Sequence, residues 1–160
     1  MNKAIFLDRD GVINRSDDTY YIHRPEDFTI NEGVVEALLE LQEKGYLLII
    51  ITNQGGISRG IYTHQDVERL HRIMLDEFEH HGIRIEEIYY CPHHPEQEEC
   101  LCHKPRSLML EKALARFQVN PGNAYFIGDS ERDVEAASRA GVHPVKVDCN
   151  QDLRSVLDRF

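Results

Sequence analysis

The chain contains no apolar run approaching the roughly 18–20 residues that a membrane span needs, which excludes a transmembrane helix. Its start, Met1-Asn2-Lys3, lacks the apolar stretch and small-residue cleavage site of a signal peptide, so a cytoplasmic protein is expected. Basic residues are scarce: 18 Lys and Arg stand against 28 Asp and Glu, for a net charge of -10. That balance argues against a nonspecific nucleic-acid binder, but not against an anionic substrate met by a few local cations and a metal. There is no internal repeat, low-complexity linker or heptad pattern, and a monomer is expected. What is present suits a globular fold: 160 residues, 41% hydrophobic and 29% charged. The expectation is a single domain over 1–160, able to bury about 68–70% of its unfolded surface.

Short apolar runs alternate with amphipathic stretches, the pattern of a parallel sheet covered by helices. Strands are predicted at Ala4–Leu7, Tyr46–Ile51, Ile88–Tyr90, Ala124–Ile127 and Pro144–Val147. Helices are predicted at Val34–Lys44, His64–His81, Leu108–Phe117 and Arg132–Ala140, with a short amphipathic helix at Asp152–Phe160. Thr63 with Asp66 has the spacing of a capping box at the start of the second helix. The fold class is therefore α/β, a Rossmann-like three-layer arrangement around a central parallel sheet. Asn53–Thr63 leaves no room for a large cap domain.

Polar residues fall at the carboxyl ends of three predicted strands: Asp8 and Asp10, then Thr52 and Asn53, then Gly128 and Asp129. Ligands of open α/β sheets bind at such ends. Asp8 and Asp10 can point into one pocket if the chain is still extended between them. Their mutual repulsion is relieved by a hard divalent cation with oxygen ligands, most simply Mg²⁺, with Asp129 as a further ligand. Thr52 offers a hydroxyl and Lys104 a charge for phosphate oxygens. This set fits phosphoryl transfer to a carboxylate nucleophile. An isolated Asp-x-Asp would otherwise be a solvated turn.

Three of the four cysteines, Cys91, Cys100 and Cys102, fall within twelve residues with histidines among them. Cys91, His93, Cys100 and Cys102 form a Cys₃His set suited to a closed, structural Zn²⁺ site in a loop over 91–102. His94 competes with His93 for the fourth position. The loop runs directly into His103-Lys104-Pro105, so its order bears on where Lys104 lies. Cys149 stands apart from the cluster and has no assigned role.

Asp8-Arg9-Asp10-Gly11, Thr52-Asn53, Lys104-Pro105 and Gly128-Asp129-Ser130-x-x-Asp133 together resemble the four motifs of the haloacid dehalogenase superfamily. The resemblance implies Asp8 as nucleophile and Asp10 as general acid/base. It implies Mg²⁺ on Asp8, the Asp10 carbonyl and Asp129, the phosphoryl group on Thr52 and Lys104, and Asp133 and Ser130 behind them. Within the superfamily, the zinc loop with Ile57-Ser58-Arg59-Gly60 and Tyr89–Pro95 is similar to the heptose bisphosphate phosphatases. The shortness of the loop is closer to the histidinol-phosphatase domain. A phosphorylated sugar is the expected substrate, histidinol phosphate the alternative. A zinc-stabilised binding module that has lost catalysis is the rival of another class. The expected substrate contacts are Asn53, Gln54, Gly55, Arg59, His103 and Lys104, with Tyr20 and Tyr21 from the 14–28 segment. The branch usually has arginine where His103 stands and lysine where Ser130 stands, and both positions belong to substrate recognition by that resemblance.

Overall fold

Alternation along the strands sets the layers. In β1 (Asn2–Leu7), Ala4 and Phe6 enter one core, while Ile5 and Leu7 enter another. In β2 (Leu47–Asn53), Ile49 and Ile51 join the first, while Leu48 and Ile50 join the second. Strands that are apolar on both faces must be covered on both faces, and helices supply the cover. On one side lie α1 (Val34–Glu43) and α2 (His64–His80), contributing Leu38, Leu41, Met74 and Phe78. On the other lie α3 (Leu108–Arg116) and α4 (Glu131–Arg139), contributing Leu110, Ala113, Ala136 and Ala137. Each fully buried Leu, Ile or Phe stabilises this arrangement by about 1.5–3 kcal/mol relative to exposure.

With β3 (Ile85–Cys91), β4 (Val119–Gly128) and β5 (His143–Lys146), the sheet is fully parallel in the order β3-β2-β1-β4-β5. The chain therefore builds outward from β1 in one direction, then returns to β1 and builds outward in the other. The switch point lies beyond the carboxyl ends of β1 and β4, where crevices form. Asp8 follows one of these ends and Asp129 the other. This computed structural model describes residues 1–17 and 21–160.

The predicted elements are all present, with shifted ends. β4 starts at Val119, not Ala124, because Asn120-Pro121-Gly122 passes through a register shift against β1 and does not end the strand. β3 starts at Ile85, three residues before the apolar run, because an edge strand tolerates Glu86 and Glu87. The tail forms a 3-10 helix at Leu153–Arg159 that buries Leu153 and Val156. The Thr63 capping box is formed on both sides, Asp66 N donating to Thr63 Oγ1 and Thr63 N to Asp66.

Candidate active site

A cavity of about 500 Å³ opens over the carboxyl ends of β1, β2 and β4, with Asp8, Asp10, Thr52, Lys104 and Asp129 in its wall. Lys104 Nζ donates to Asp8 Oδ1 at 3.0 Å, to Asp133 Oδ1 at 2.7 Å and to the Ile51 carbonyl at 3.1 Å. Burial alone would strip the lysine of its proton, but the charges of Asp8 and Asp133 hold its pKa above the ordinary value. Asp133 stays low: burial pushes it up, and the Lys104 charge with the Ser130 hydrogen bonds more than reverses that. Asp8 goes the other way. Burial and the Asp133 charge raise it well above the carboxylate range, despite Lys104. Burial and Asp133 raise Asp129 too.

Asp8, Asp129 and Asp133 each bring a carboxylate oxygen within 4.8 Å of the others. Two buried acids that resist ionising, in an oxygen-only donor set, fit a hard divalent cation. The cluster Cys91, His93, Cys100 and Cys102 meets the same test for a softer ion. Its ligand atoms also lie within 4.8 Å of one another, with His93 Nδ1 3.4 Å from Cys91 Sγ and 3.3 Å from Cys102 Sγ. Cys91 and Cys102 stand 2.8 Å apart as free thiols, well beyond a disulfide length of about 2.05 Å. Three thiols and an imidazole nitrogen suit tetrahedral Zn²⁺. His94 turns away from this cluster and lines the active-site cavity. Its ring centroid lies 6.4 Å from that of His103.

Asn53 and Gln54 line the cavity, but their amides are already engaged. Asn53 Nδ2 donates to the Lys104 carbonyl at 3.2 Å and its Oδ1 accepts from Lys104 N at 3.0 Å, a reciprocal clasp between β2 and the lysine loop. Gln54 is buried and donates to Asp10 Oδ2 and Thr52 Oγ1. Gly55 lines the cavity, and a Cβ there would press on His94 and the His93 carbonyl. Tyr21 and His103 line it as well, while Arg59 reaches the Tyr21 hydroxyl at 3.3 Å. Ser130 is in the wall, but its hydroxyl closes a capping box with Asp133 at the start of α4. Tyr20 lies outside the described residues.

Arg9 does not stand out in the sequence, flanked by two aspartates. It is fully buried, donating Nε and Nη2 to Asp10 Oδ1, Nη2 to the Ile22 carbonyl, and Nη1 toward His71 Nε2. No composition or spacing rule reveals a buried arginine. The Ser130 capping box, in contrast, repeats the Thr63-x-x-Asp66 spacing and was open to the same reading. Arg132, next to that cap, also lines the cavity.

A carboxylate pair and a buried lysine gathered at the switch point of a parallel sheet define a hydrolase of the group-transfer kind. The sequence pattern described as haloacid dehalogenase-like hydrolase matches residues 8–141, and the chain belongs to that family. It is 44% identical over 148 residues to D-glycero-beta-D-manno-heptose-1,7-bisphosphate 7-phosphatase of Haemophilus ducreyi, covering 88% of this chain and 79% of that protein. It is also 44% identical over 140 residues to D-glycero-alpha-D-manno-heptose-1,7-bisphosphate 7-phosphatase of Campylobacter jejuni, covering 88% and 78%. The crystal structure of D,D-heptose 1,7-bisphosphate phosphatase from B. bronchiseptica, complexed with magnesium and phosphate, superposes with a TM-score of 0.86. Sequence identity is 30%, with 99% of this chain and 87% of that chain covered.

Proposed function

We propose that the protein is a Mg²⁺-dependent phosphomonoesterase that removes the 7-phosphate of D-glycero-D-manno-heptose 1,7-bisphosphate through an aspartyl-phosphate intermediate. The observation that carries this reading is Lys104, buried between Asp8 and Asp133 at the floor of the cavity. A nucleophilic carboxylate beside a fixed cation is what phosphoryl transfer needs. In the first half-reaction a carboxylate oxygen of Asp8 attacks phosphorus as the bond to the sugar oxygen breaks, and Asp10 delivers its proton to that oxygen. In the second, Asp10 takes a proton from water as the water oxygen attacks phosphorus and frees Asp8. Lys104 and the Thr52 hydroxyl hold the equatorial oxygens through both steps. Mg²⁺, held by Asp8, Asp129 and the Asp10 carbonyl, would supply charge against the same oxygens. Zn²⁺ on Cys91, His93, Cys100 and Cys102 would fix the loop that carries Lys104, without entering the chemistry.

The substrate has a second phosphate, and Lys104 is committed to the reacting one. Arg132, with His94 and His103 beside it on the cavity wall, is the group available to the other. The relatives' names specify both anomers, so the reading extends to the heptose bisphosphate and not to one anomer. The cytoplasm, where thiols persist reduced, suits the cysteine cluster. The deciding experiment measures phosphate release with Mg²⁺ from both anomers of heptose 1,7-bisphosphate beside histidinol phosphate. A strong preference for a heptose anomer is expected, and a preference for histidinol phosphate overturns the substrate assignment.

A further inference from the structure

The two carboxylate oxygens of Asp10 are unequal. Oδ1 accepts from Arg9 Nε at 3.1 Å, Arg9 Nη2 at 2.9 Å and Asn14 Nδ2 at 3.0 Å. Oδ2 accepts from Gln54 Nε2 at 3.2 Å. A carboxylate oxygen has two lone pairs. Three donors leave Oδ1 no room for a proton, while Oδ2 keeps a free site beside its single amide partner.

That partner has an orientation to maintain. An amide presents NH₂ or carbonyl oxygen with nearly the same shape. If Gln54 flipped, its oxygen would face Oδ2, accept the acid's proton in a hydrogen bond and draw it away from the leaving group. The Tyr62 hydroxyl prevents this. It lies 2.6 Å from Gln54 Oε1 and donates there. Gln54 Nε2 is thereby turned to Asp10 and, at 3.0 Å, to Thr52 Oγ1. Tyr62 is 5% exposed and is not in the cavity wall, so it touches no substrate. Its ring is clamped by the stacked His23 ring at 4.9 Å and by the edge of Tyr21 at 5.8 Å. At Gly56 a Cβ would collide with the ring, so the close approach needs that glycine.

We infer that Oδ2 of Asp10 is the oxygen that carries the catalytic proton, and that Tyr62, acting through Gln54, is the positioning residue that keeps this proton aimed at the leaving group. The inference rests on the phosphatase reading above. The proton passes from Oδ2 to the ester oxygen as the P–O bond breaks and the Asp8–phosphorus bond forms. It returns to Oδ2 from water in hydrolysis.

The test uses the leaving group. A p-nitrophenolate departs without a proton, whereas phenoxide and a sugar alkoxide need one, and kcat/KM reports the step in which they leave. In Tyr62→Phe, kcat/KM should fall about tenfold on heptose bisphosphate and phenyl phosphate, part of the usual gain from general acid catalysis, and stay within about twofold on p-nitrophenyl phosphate. Gln54→Leu, which also frees Thr52 Oγ1, should lower all three but the first two about tenfold more, and adding Tyr62→Phe to it should change nothing further. Equal losses on all three substrates mean that Tyr62 only supports the fold, and no loss on any means that it does nothing; either overturns the inference. If Tyr62→Phe does not fold, Gln54→Leu alone decides whether Oδ2 works, since an even loss there defeats the assignment. A wild-type enzyme that cleaves both aryl phosphates but no heptose bisphosphate defeats the substrate reading, and the aryl pair still judges Tyr62. A wild type that cleaves none of the three defeats both.

Discussion

His71 Nε2 lies 3.1 Å from Arg9 Nη1, with both side chains buried. Arg9 cannot release its proton, so His71 must be the acceptor and therefore neutral. Burial first, then the Arg9 charge, lowers the His71 pKa from 6.5 to about 3. Between those values the unfolded chain binds a proton that the folded chain does not. Stability is therefore complete above the unfolded value and lost as pH falls from 6.5 toward about 3. The melting temperature should drop over this range, and His71→Gln, which keeps an acceptor for Arg9, should flatten part of the slope. Identical slopes in a thermal scan across pH would show that His71 is not the linked group.

Asp8→Asn removes the proposed nucleophile while leaving a side chain of the same shape. Phosphate release should fall to background, with the circular dichroism spectrum and zinc content unchanged. Residual turnover above background would rule out the covalent route, and also distinguishes an enzyme from a binding module.

Arg132 makes no ion pair among the described residues. If it grips the second phosphate, Arg132→Ala should raise KM for the bisphosphate about 10- to 100-fold, the loss of one charge-assisted contact worth roughly 1.5–3 kcal/mol. Turnover of a monophosphate such as p-nitrophenyl phosphate should stay the same. Equal effects on both substrates would place Arg132 at the reacting phosphate or in the fold.

Cys91 ends β3, so metal at this cluster joins the sheet edge to the loop before Lys104. A zinc-selective chelator should release amide protection over residues 92–107 and abolish activity, and zinc should restore both. Activity that survives with the loop unprotected would mean that the Asn53–Lys104 clasp suffices without metal.

Gly11 has φ +84°, and a Cβ there would strike the Asp129 carboxylate. Gly11→Ala should weaken Mg²⁺ dependence and turnover sharply, while costing only about 1–2 kcal/mol of stability for the left-handed backbone. A titration of activity against Mg²⁺ that matched wild type would show that the loop yields without moving Asp129.

The groups that meet at the cavity were legible because they stand at the ends of apolar strands, where Asp8, Thr52 and Asp129 each break a hydrophobic run. The layers were legible because β1 and β2 are apolar on both faces. What was not legible is how polar side chains are shared. Asn53 and Gln54 look like substrate contacts in a loop sequence, yet their amides meet the Lys104 backbone and Asp10. Ser130 stands behind the site beside Asp133, as its sequence position suggests, but what holds it there is a helix cap. Such choices depend on which distant residue arrives alongside, as Lys104 does 51 positions after Asn53. Local periodicity carries no trace of that.

The placement of β1 at the centre of the sheet has a consequence for biosynthesis. Asp8 is made well before Asp129 and Asp133, and one side of its strand stays unpaired until β4 has left the ribosome. Asp129 and Asp133 emerge with that same stretch. A fragment that stops short of β4 thus holds Asp8 without the two acids that stand beside it. The cavity and its acid cluster are completed together, when the second half of the sheet docks.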